Sequence, residues 1–279
     1  MSTHGSDEGT ARLVVVGGGN MGEALVSGML AAGWCASHEL AVVEVLAERR
    51  SVLASRYPGV RVVDDVVPAE GALIAVKPGD VPAAVAAAVA AGADRLLSIA
   101  AGVTLATLGA AAASAVGGSS ARIVRCMPNT PAMVGAGASA ISPGEGATED
   151  DLVWAESILS SVGSVVRVPE HLLDAVTGLA GSGPAYLMLI AEALIEAGVL
   201  NGLPRATARA LTTQLLVGSA KLLADSGELA EVLRHNVTSP GGTTAAGLRS
   251  LEEHGVRAAF LDAVTAATER SRVLGAPRA

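Results

Sequence analysis

Arg12-Leu13-Val14-Val15-Val16-Gly17-Gly18-Gly19-Asn20-Met21-Gly22, running directly into a helical stretch over 23–32, is the segment that decides the fold. The first five residues make a short apolar strand, and the glycines that follow stand at G-x-G-x-x-G spacing. Strand before and helix after is the setting in which that spacing carries meaning. Gly17 permits the tight turn, Gly19 lets a pyrophosphate approach the backbone, and Gly22 lets the helix lie close on the strand. With Asn20 and Met21 between them, these residues form a candidate dinucleotide-binding loop. A second apolar run, 40–43, ends on Glu44, about twenty residues past the loop, where a carboxylate accepts from a ribose 2′-hydroxyl and favours NAD over NADP. Val45 stands where an arginine would meet a 2′-phosphate, yet Arg49 and Arg50 lie one turn on. Those two read equally well as a solvated helix face, so the sequence leaves the choice between NADH and NADPH open.

Outward from the loop, apolar runs alternate with helical patterns. Strands are expected near 12–16, 40–44, 60–63, 72–76, 95–100 and 122–126, with helices near 20–32, 47–56, 80–91 and 104–115. Two more strands, near 137–142 and 164–168, flank a helix opened by Thr148 and stopped by Gly163. Such alternation predicts a doubly wound α/β domain, a parallel sheet covered on both faces. From about Pro169 the strand signal ends, and helices follow at 169–179, 184–200, 204–225, 228–236, 243–254 and 256–274. The expected organisation is a loose tail over 1–10, a Rossmann domain over 11–168 and an all-helical substrate and dimerisation domain over 169–279. Between Ala185 and Leu200 the only charges are Glu192 and Glu196. A helix so apolar needs cover on several sides, which predicts a homodimer or a larger assembly built through these helices.

Ligands of a doubly wound sheet lie outside the carboxyl ends of its strands. Three segments follow strand ends there. Ala75-Val76-Lys77-Pro78 reads either as a turn against the nicotinamide ribose or as a surface lysine at a strand end. Ala101 and Gly102 belong to a small-residue turn that lets a flat ring approach the backbone. Met127-Pro128-Asn129-Thr130-Pro131 is a rigid turn presenting an amide and a hydroxyl. In the helical half, Gly181-Ser182-Gly183-Pro184 is a well-made helix start, with Ser182 or Gly183 as N-cap, and reads equally as one wall of a pocket.

The other chemistry-bearing segment is Asn236-Val237-Thr238-Ser239-Pro240-Gly241-Gly242-Thr243-Thr244, which opens a helix without any charge. Helix-start N–H groups have no internal partner, and the peptide dipoles add partial positive charge. A small carboxylate can be seated there without arginine. Gly241 and Gly242 let the backbone come close, while Ser239, Thr243 and Thr244 add donors.

Composition narrows the remaining classes. The chain has 279 residues, 51% hydrophobic and 16% charged, with a formal net charge of -8. An acidic balance with scattered Lys and Arg argues against a nucleic-acid surface. The polar start lacks a leader's apolar core, and the apolar stretches are amphipathic or broken by Gly and Pro, so a cytoplasmic chain with no membrane span is expected. Cys35 and Cys126 show no C-x-x-C pattern and the five histidines no ligand spacing, so no metal is expected.

Gly17 to Gly22, Ala75 to Pro78, Ser98 to Gly102, Arg125 to Ala132, Gly181 to Tyr186 and Thr238 to Thr244 together resemble pyrroline-5-carboxylate reductase, over about residues 11–274. The most specific part is Thr238 to Thr244 with Leu248, Leu251 and Glu252, because dinucleotide motifs are shared by many dehydrogenases. The resemblance implies reduction of the cyclic imine 1-pyrroline-5-carboxylate to L-proline by NADPH or NADH, on dimers that assemble further into decamers. It places Ser239, Gly241, Gly242, Thr243, Thr244, Met127 and Asn129 around the substrate. Thr244 is the hydroxyl best placed by analogy to steady the imine. Two rivals stand beside this reading. A 3-hydroxyacid-dehydrogenase-like enzyme would need Lys221 as its acid or base, and a dinucleotide-sensing dimer would need no carboxylate seat.

Overall fold

The computed structural model describes residues 10–115 and 121–276, so the tail expected over 1–10 lies, apart from Thr10, outside the described residues. The chain divides into two compact units, Met1–Gly181 with Ala267–Ala279, and Ser182–Ala266.

The first unit runs through Ala11–Val16 (β1), Asn20–Ala31 (α1), Leu40–Val43 (β2), Ala47–Arg56 (α2), Arg61–Val63 (β3), Ala69–Ile74 (β4) and Val81–Ala90 (α3). It continues through Arg95–Ser98 (β5), Leu105–Ala113 (α4), Arg122–Met127 (β6), Gly137–Pro143 (β7), Glu149–Leu159 (α5) and Gly163–Arg167 (β8). One eight-stranded sheet results, in the order β3-β2-β1-β4-β5-β6-β7-β8. Its first six strands are parallel and follow the doubly wound order, with β1 hydrogen-bonded to β2 on one side and β4 on the other. Between β1 and β4 the direction of winding reverses, the place beyond whose strand ends doubly wound sheets take their ligands.

The central strands β1, β2, β4 and β5 are largely apolar on both faces because helices cover both. Val14, Val16, Ala72, Ile74 and Leu96 pack with Val81, Val85, Ala88, Leu108 and Ala112 of α3 and α4. Leu13, Val15, Leu73, Leu97 and Val124 face the other way, against Leu25, Val26 and Met29 of α1 and Ile158 and Leu159 of α5. Leu13, Leu25, Leu73 and Leu97 are fully buried, and each such side chain contributes roughly 1.5–3 kcal/mol by leaving water. Cys35 and Cys126 are free thiols within this unit, and burial pushes both up from the ordinary thiol range.

Three details depart from the sequence reading. β7 runs antiparallel to β6, with Cys126 opposite Ile141. Residues 128–136 are too few for the crossover that a parallel neighbour needs, about a dozen or more. Thr148 does open α5, its N–H and Oγ donating to Asp151, but the helix stops at Leu159 rather than at Gly163. Gly163 instead starts β8 at φ 153°, where a Cβ would collide with the Gly137 carbonyl oxygen. Strand β4 ends at Ile74 and β5 at Ser98, so Ala75–Lys77 and Ile99–Gly102 are turns rather than strand tips.

Leu173–Val176 (α6) and the π-helical turn Thr177–Gly181 also belong to the first unit, although their helical pattern groups them with the second half of the sequence. Leu173 is fully buried, and Glu170 accepts from Arg125 of β6 at 2.8 Å and from the N–H of Leu105, the first residue of α4, at 2.6 Å. A buried arginine and a helix-start N–H thus tie this segment to the sheet and to α4.

The second unit is helical: Gly183–Leu200 (α7), Arg205–Ser226 (α8), Ala230–Asn236 (α9), Thr243–Glu253 (α10) and the first part of Val256–Gly275 (α11), whose end counts with the first unit. Ser182 is the N-cap of α7, as one of the two alternatives had it. Helices α7 and α8 meet where Gly198 leaves room for Ala208, and a groove of about 390 Å³ opens between Leu194, Leu203, Leu211 and Leu215. Leu187, Met188, Leu189, Leu211, Leu215 and Leu222 are exposed in the single chain. By length and a mean hydropathy of 1.5, the helical stretch Glu170–Leu200 is apolar enough to cross a membrane.

Candidate active site

The glycine loop is built from three backbone constraints. Gly17 adopts φ 114°, its N–H donates to Val43 O at 2.9 Å, and a Cβ there would sit 2.6 Å from Ala75 O. Gly22 faces the Gly17 carbonyl so closely that any side chain would overlap it. Gly19 is the N-cap residue of α1, exposed, with no side chain capping the helix and open space where a Cβ would point. Strand end, glycine turn and uncapped helix start are therefore joined as a pyrophosphate cradle requires. The residues fit a dinucleotide: the bare face at Gly19 leaves room for the phosphates, and exposed Asn20 and half-buried Met21 continue the same helix start.

Around the loop lie the other strand ends of this sheet. Glu44 follows β2 and turns its carboxylate back, Oε1 accepting from Leu46 N at 3.0 Å and Oε2 lying 3.2 Å from where a Cβ on Gly18 would be. Val45 and Leu46 beyond it are exposed. Ala75 donates its N–H to Val16 O at 2.8 Å, which locks the turn after β4 to β1. Val76 is half-buried, and exposed Lys77 precedes the single turn Pro78–Asp80. Ala101 is exposed, and Gly102 holds φ 73° beside the end of α11, where Leu274 and Gly275 lie against it. Ser271, buried in the last turns of α11, bonds Asp174 at 2.6 Å and fixes that helix end.

Sequence reasoning turned the amide of Asn129 toward a ligand. In the structure its Nδ2 donates to Ala180 O at 3.1 Å and its Oδ1 accepts from Ala138 N at 2.8 Å. Met127 lies beside it, its Cε against Gly181. Both residues thus brace the π-helical turn Thr177–Gly181, a form that recurs at functional sites. Asn129→Ala is expected to leave a backbone donor and acceptor unpaired and to lower stability by about 1–3 kcal/mol. Thermal melting checks this, and an unchanged midpoint would show the brace to be idle.

Glu23 went unnoticed in the sequence, where an acid in the first helical turn reads as a complement to the helix dipole. Its carboxylate accepts from Arg49, Arg56 and Tyr57, and Arg49 Nε also donates to Gly18 O at 2.9 Å. Burial raises the Glu23 carboxyl, but these three hydrogen bonds outweigh it and hold it below the ordinary carboxylate range. Arg50 donates to the carbonyls of Glu44 and Val45, at 2.8 and 2.9 Å. The expected alternative of a solvated face therefore fails for both arginines. A signal existed in the sequence: Arg49 and Arg56, seven apart, share one face of α2.

In the second unit, Asn236 ends α9 and Gly242 is the N-cap of α10, with no side chain capping the helix. Gly241 holds φ 69°, and Gly242 N donates to Ser239 O at 3.0 Å, closing the turn. Thr238 Oγ1 is engaged with Arg234 O at 2.6 Å, whereas Ser239, Thr243 and Thr244 are exposed. Lys221 is paired with Asp225 on α8 at 2.5 Å, so the rival reading's acid or base is engaged with a carboxylate. Among the described residues no cluster of three or more His, Cys, Asp or Glu could hold a metal ion.

Residues 170–274 match the family model for pyrroline-5-carboxylate reductase dimerisation, and residues 12–102 match that for NADP oxidoreductase coenzyme F420-dependent. A pyrroline-5-carboxylate reductase of Synechocystis is 45% identical, over 95% of this chain and 98% of its own length. The chain belongs to the pyrroline-5-carboxylate reductase family. The enzyme of that name from Corynebacterium melassecola is 39% identical over 94% of this chain and 98% of its own. Among solved structures, the pyrroline-5-carboxylate reductase of Coxiella burnetii superposes with a TM-score of 0.88 at 33% identity, covering 96% of this chain and all of that one. That of Plasmodium falciparum, solved with NADP bound, gives 0.81 at 29% identity, with 96% and 100% covered. The dimerisation model spans most of the helical half, Thr238 to Thr244 included.

Proposed function

We propose that this chain reduces the C=N bond of 1-pyrroline-5-carboxylate to give L-proline, the last step of proline synthesis, with NADPH or NADH as donor. What carries the reading is the presence, in one chain, of a glycine cradle at the winding reversal of the sheet and an uncapped, uncharged helix start at Gly242. When bound, the reduced nicotinamide supplies the hydride. The protein's own part is to bind, orient and steady. Gly17, Gly19, Asn20, Met21 and Gly22 hold the pyrophosphate, Glu44 the ribose, and Ala75 to Pro78 with Ala101 and Gly102 the nicotinamide end. Ser239, Gly241, Gly242 and Thr243 seat the substrate carboxylate, Thr244 meets the imine, and Met127 and Asn129 are assigned to substrate binding as well. Charge-assisted hydrogen bonds of roughly 1.5–3 kcal/mol each fix the ring for attack. An alcohol is a poor acid near neutral pH, so Thr244 steadies the imine rather than protonating it, its hydroxyl donating to a neutral nitrogen or accepting from a protonated one, and the proton comes with the substrate or through water.

The exposed apolar helices of the second unit support a homodimer, assembling further into decamers, and account for the apolar stretch 170–200 without a membrane. In this reading residues 11–168 serve the dinucleotide and 169–279 the substrate and the dimer. The partners are small molecules rather than nucleic acid, no metal takes part, and the enzyme works in the cytoplasm. Following the NAD(P)H absorbance with and without pyrroline carboxylate tests the activity. A steady decay that needs the imine is expected. No decay with either dinucleotide, from protein that binds one of them, would overturn the reading and leave the sensing dimer or the 3-hydroxyacid-dehydrogenase-like enzyme.

A further inference from the structure

We infer that Glu23 sets the choice of dinucleotide, by engaging Arg49 so that Glu44 alone meets the ribose, and that the chain prefers NADH to NADPH. This rests on the reading of the glycine loop as the dinucleotide cradle. A 2′-phosphate adds negative charge at the end of the second strand, and it must be met there by cations or hydroxyls. This chain offers the opposite. Glu44 turns a carboxylate back toward Gly18, and the next two residues, Val45 and Leu46, are exposed and apolar. Arg49 and Arg50 follow that strand end on α2, and each is already hydrogen-bonded within the chain. Arg49 donates through Nε to Gly18 O and through its terminal nitrogen to Glu23, whose side chain is only 12% exposed. Arg50 donates to the carbonyls of Glu44 and Val45 and lies 3.5 Å from Asp64. Glu23 is itself held in place by Arg56 and Tyr57, so the arrangement is fixed from three sides.

A ribose 2′-hydroxyl can donate to Glu44 where it stands. A 2′-phosphate would face that carboxylate as a like charge, which is destabilising. Winning Arg49 for the phosphate means breaking its pairing with a largely buried carboxylate, which leaves Glu23 short of a partner. The Plasmodium falciparum relative holds NADP, so the fold itself is compatible with the phosphorylated form. The discrimination here therefore lies in this chain's own side chains.

Titrating full-length protein with NADH and NADPH, followed by cofactor fluorescence, measures the two dissociation constants without any turnover. NADH is expected to bind about tenfold or more tightly than NADPH. Glu23→Gln frees Arg49 and is expected to narrow that ratio several-fold, chiefly by tightening NADPH. Adding Arg49→Ala to it is expected to restore the ratio. Arg49→Ala alone is expected to weaken both dinucleotides alike through the loosened Gly18 carbonyl. Equal or tighter binding of NADPH to the unaltered protein overturns the inference, as does selective loss of NADPH in Arg49→Ala. An unchanged ratio in Glu23→Gln that melts as the parent does overturns it too. Binding with the expected ratio but no imine reduction would leave the inference standing and remove the proposed activity.

Discussion

Gly22→Ala is expected to abolish dinucleotide binding and to cost the first unit stability, whereas Gly19→Ala is expected to abolish binding alone. The two glycines stand three apart in one motif, but the backbone uses them differently. A methyl on Gly22 would overlap the carbonyl oxygen of Gly17. That carbonyl cannot retreat, because Gly17 is pinned by its bond to Val43 O, by φ 114°, and by Ala75 O lying 2.6 Å from its own would-be Cβ. Overpacking of this kind costs about 1–3 kcal/mol where side chains can yield, and backbone yields less. A loss of about 2–3 kcal/mol lowers the melting midpoint of a domain this size by roughly 4–12 °C. Gly19 meets no protein atom where a Cβ would point and has an ordinary φ of -69°. Its bareness therefore serves something outside the chain, and Gly19→Ala should melt like the parent while NADH and NADPH bind at least about 100-fold more weakly. Calorimetry paired with cofactor fluorescence separates the two effects. Unweakened binding in Gly19→Ala would remove the loop from the site.

Residue pattern carried most of this fold and only part of the site. The strand Ala11–Val16, the glycine turn and α1 were legible because each level agrees: β-branched residues, then glycines at a fixed spacing, then a helix-period run. The reversal of β7 is legible only in the short distance from Met127 to Gly137, because strand periodicity says nothing of direction. Residues 170–181 mislead for a different reason. Their helical period is genuine, yet period does not say which neighbour a helix packs on, and that was settled by Arg125, Glu170 and Leu173 at long range. Asn129 shows the same limit at the site. An amide after a strand end is a good ligand candidate, but whether its hydrogen bonds are already taken by Ala138 and Ala180 depends on chain that lies far away in sequence. Glycine positions survive translation from sequence to structure because they answer backbone constraints; polar side chains do so less well because partners are chosen in three dimensions.

Thr244→Ala is expected to lower kcat and kcat/KM together by roughly 10- to 150-fold, the range of one hydrogen bond to a charged group at about 1.5–3 kcal/mol, with stability unchanged. The stability half of that expectation comes from the structure. Thr244 is exposed in the first turn of α10, no side chain caps that helix, and Gly242 rather than Thr244 closes the turn through Ser239 O. Removing an exposed hydroxyl from such a place changes stability by less than about 0.5 kcal/mol. Any large loss of rate then belongs to the reaction. Its division between constants assigns the role: a group that only seats the carboxylate acts equally on ground and transition states and raises KM, whereas a donor to the imine matters as the nitrogen gains electron density. Ser239→Ala supplies the contrast, since it sits in the turn that precedes the helix and is expected to raise the KM for the imine with little change in kcat. Proline, which keeps the carboxylate but lacks the C=N bond, should bind the Thr244→Ala protein almost as well as the parent and the Ser239→Ala protein less well. Were both substitutions to leave steady-state constants and proline affinity untouched, the helix start at Gly242 would be an ordinary capless turn, and the carboxylate would have to be held elsewhere.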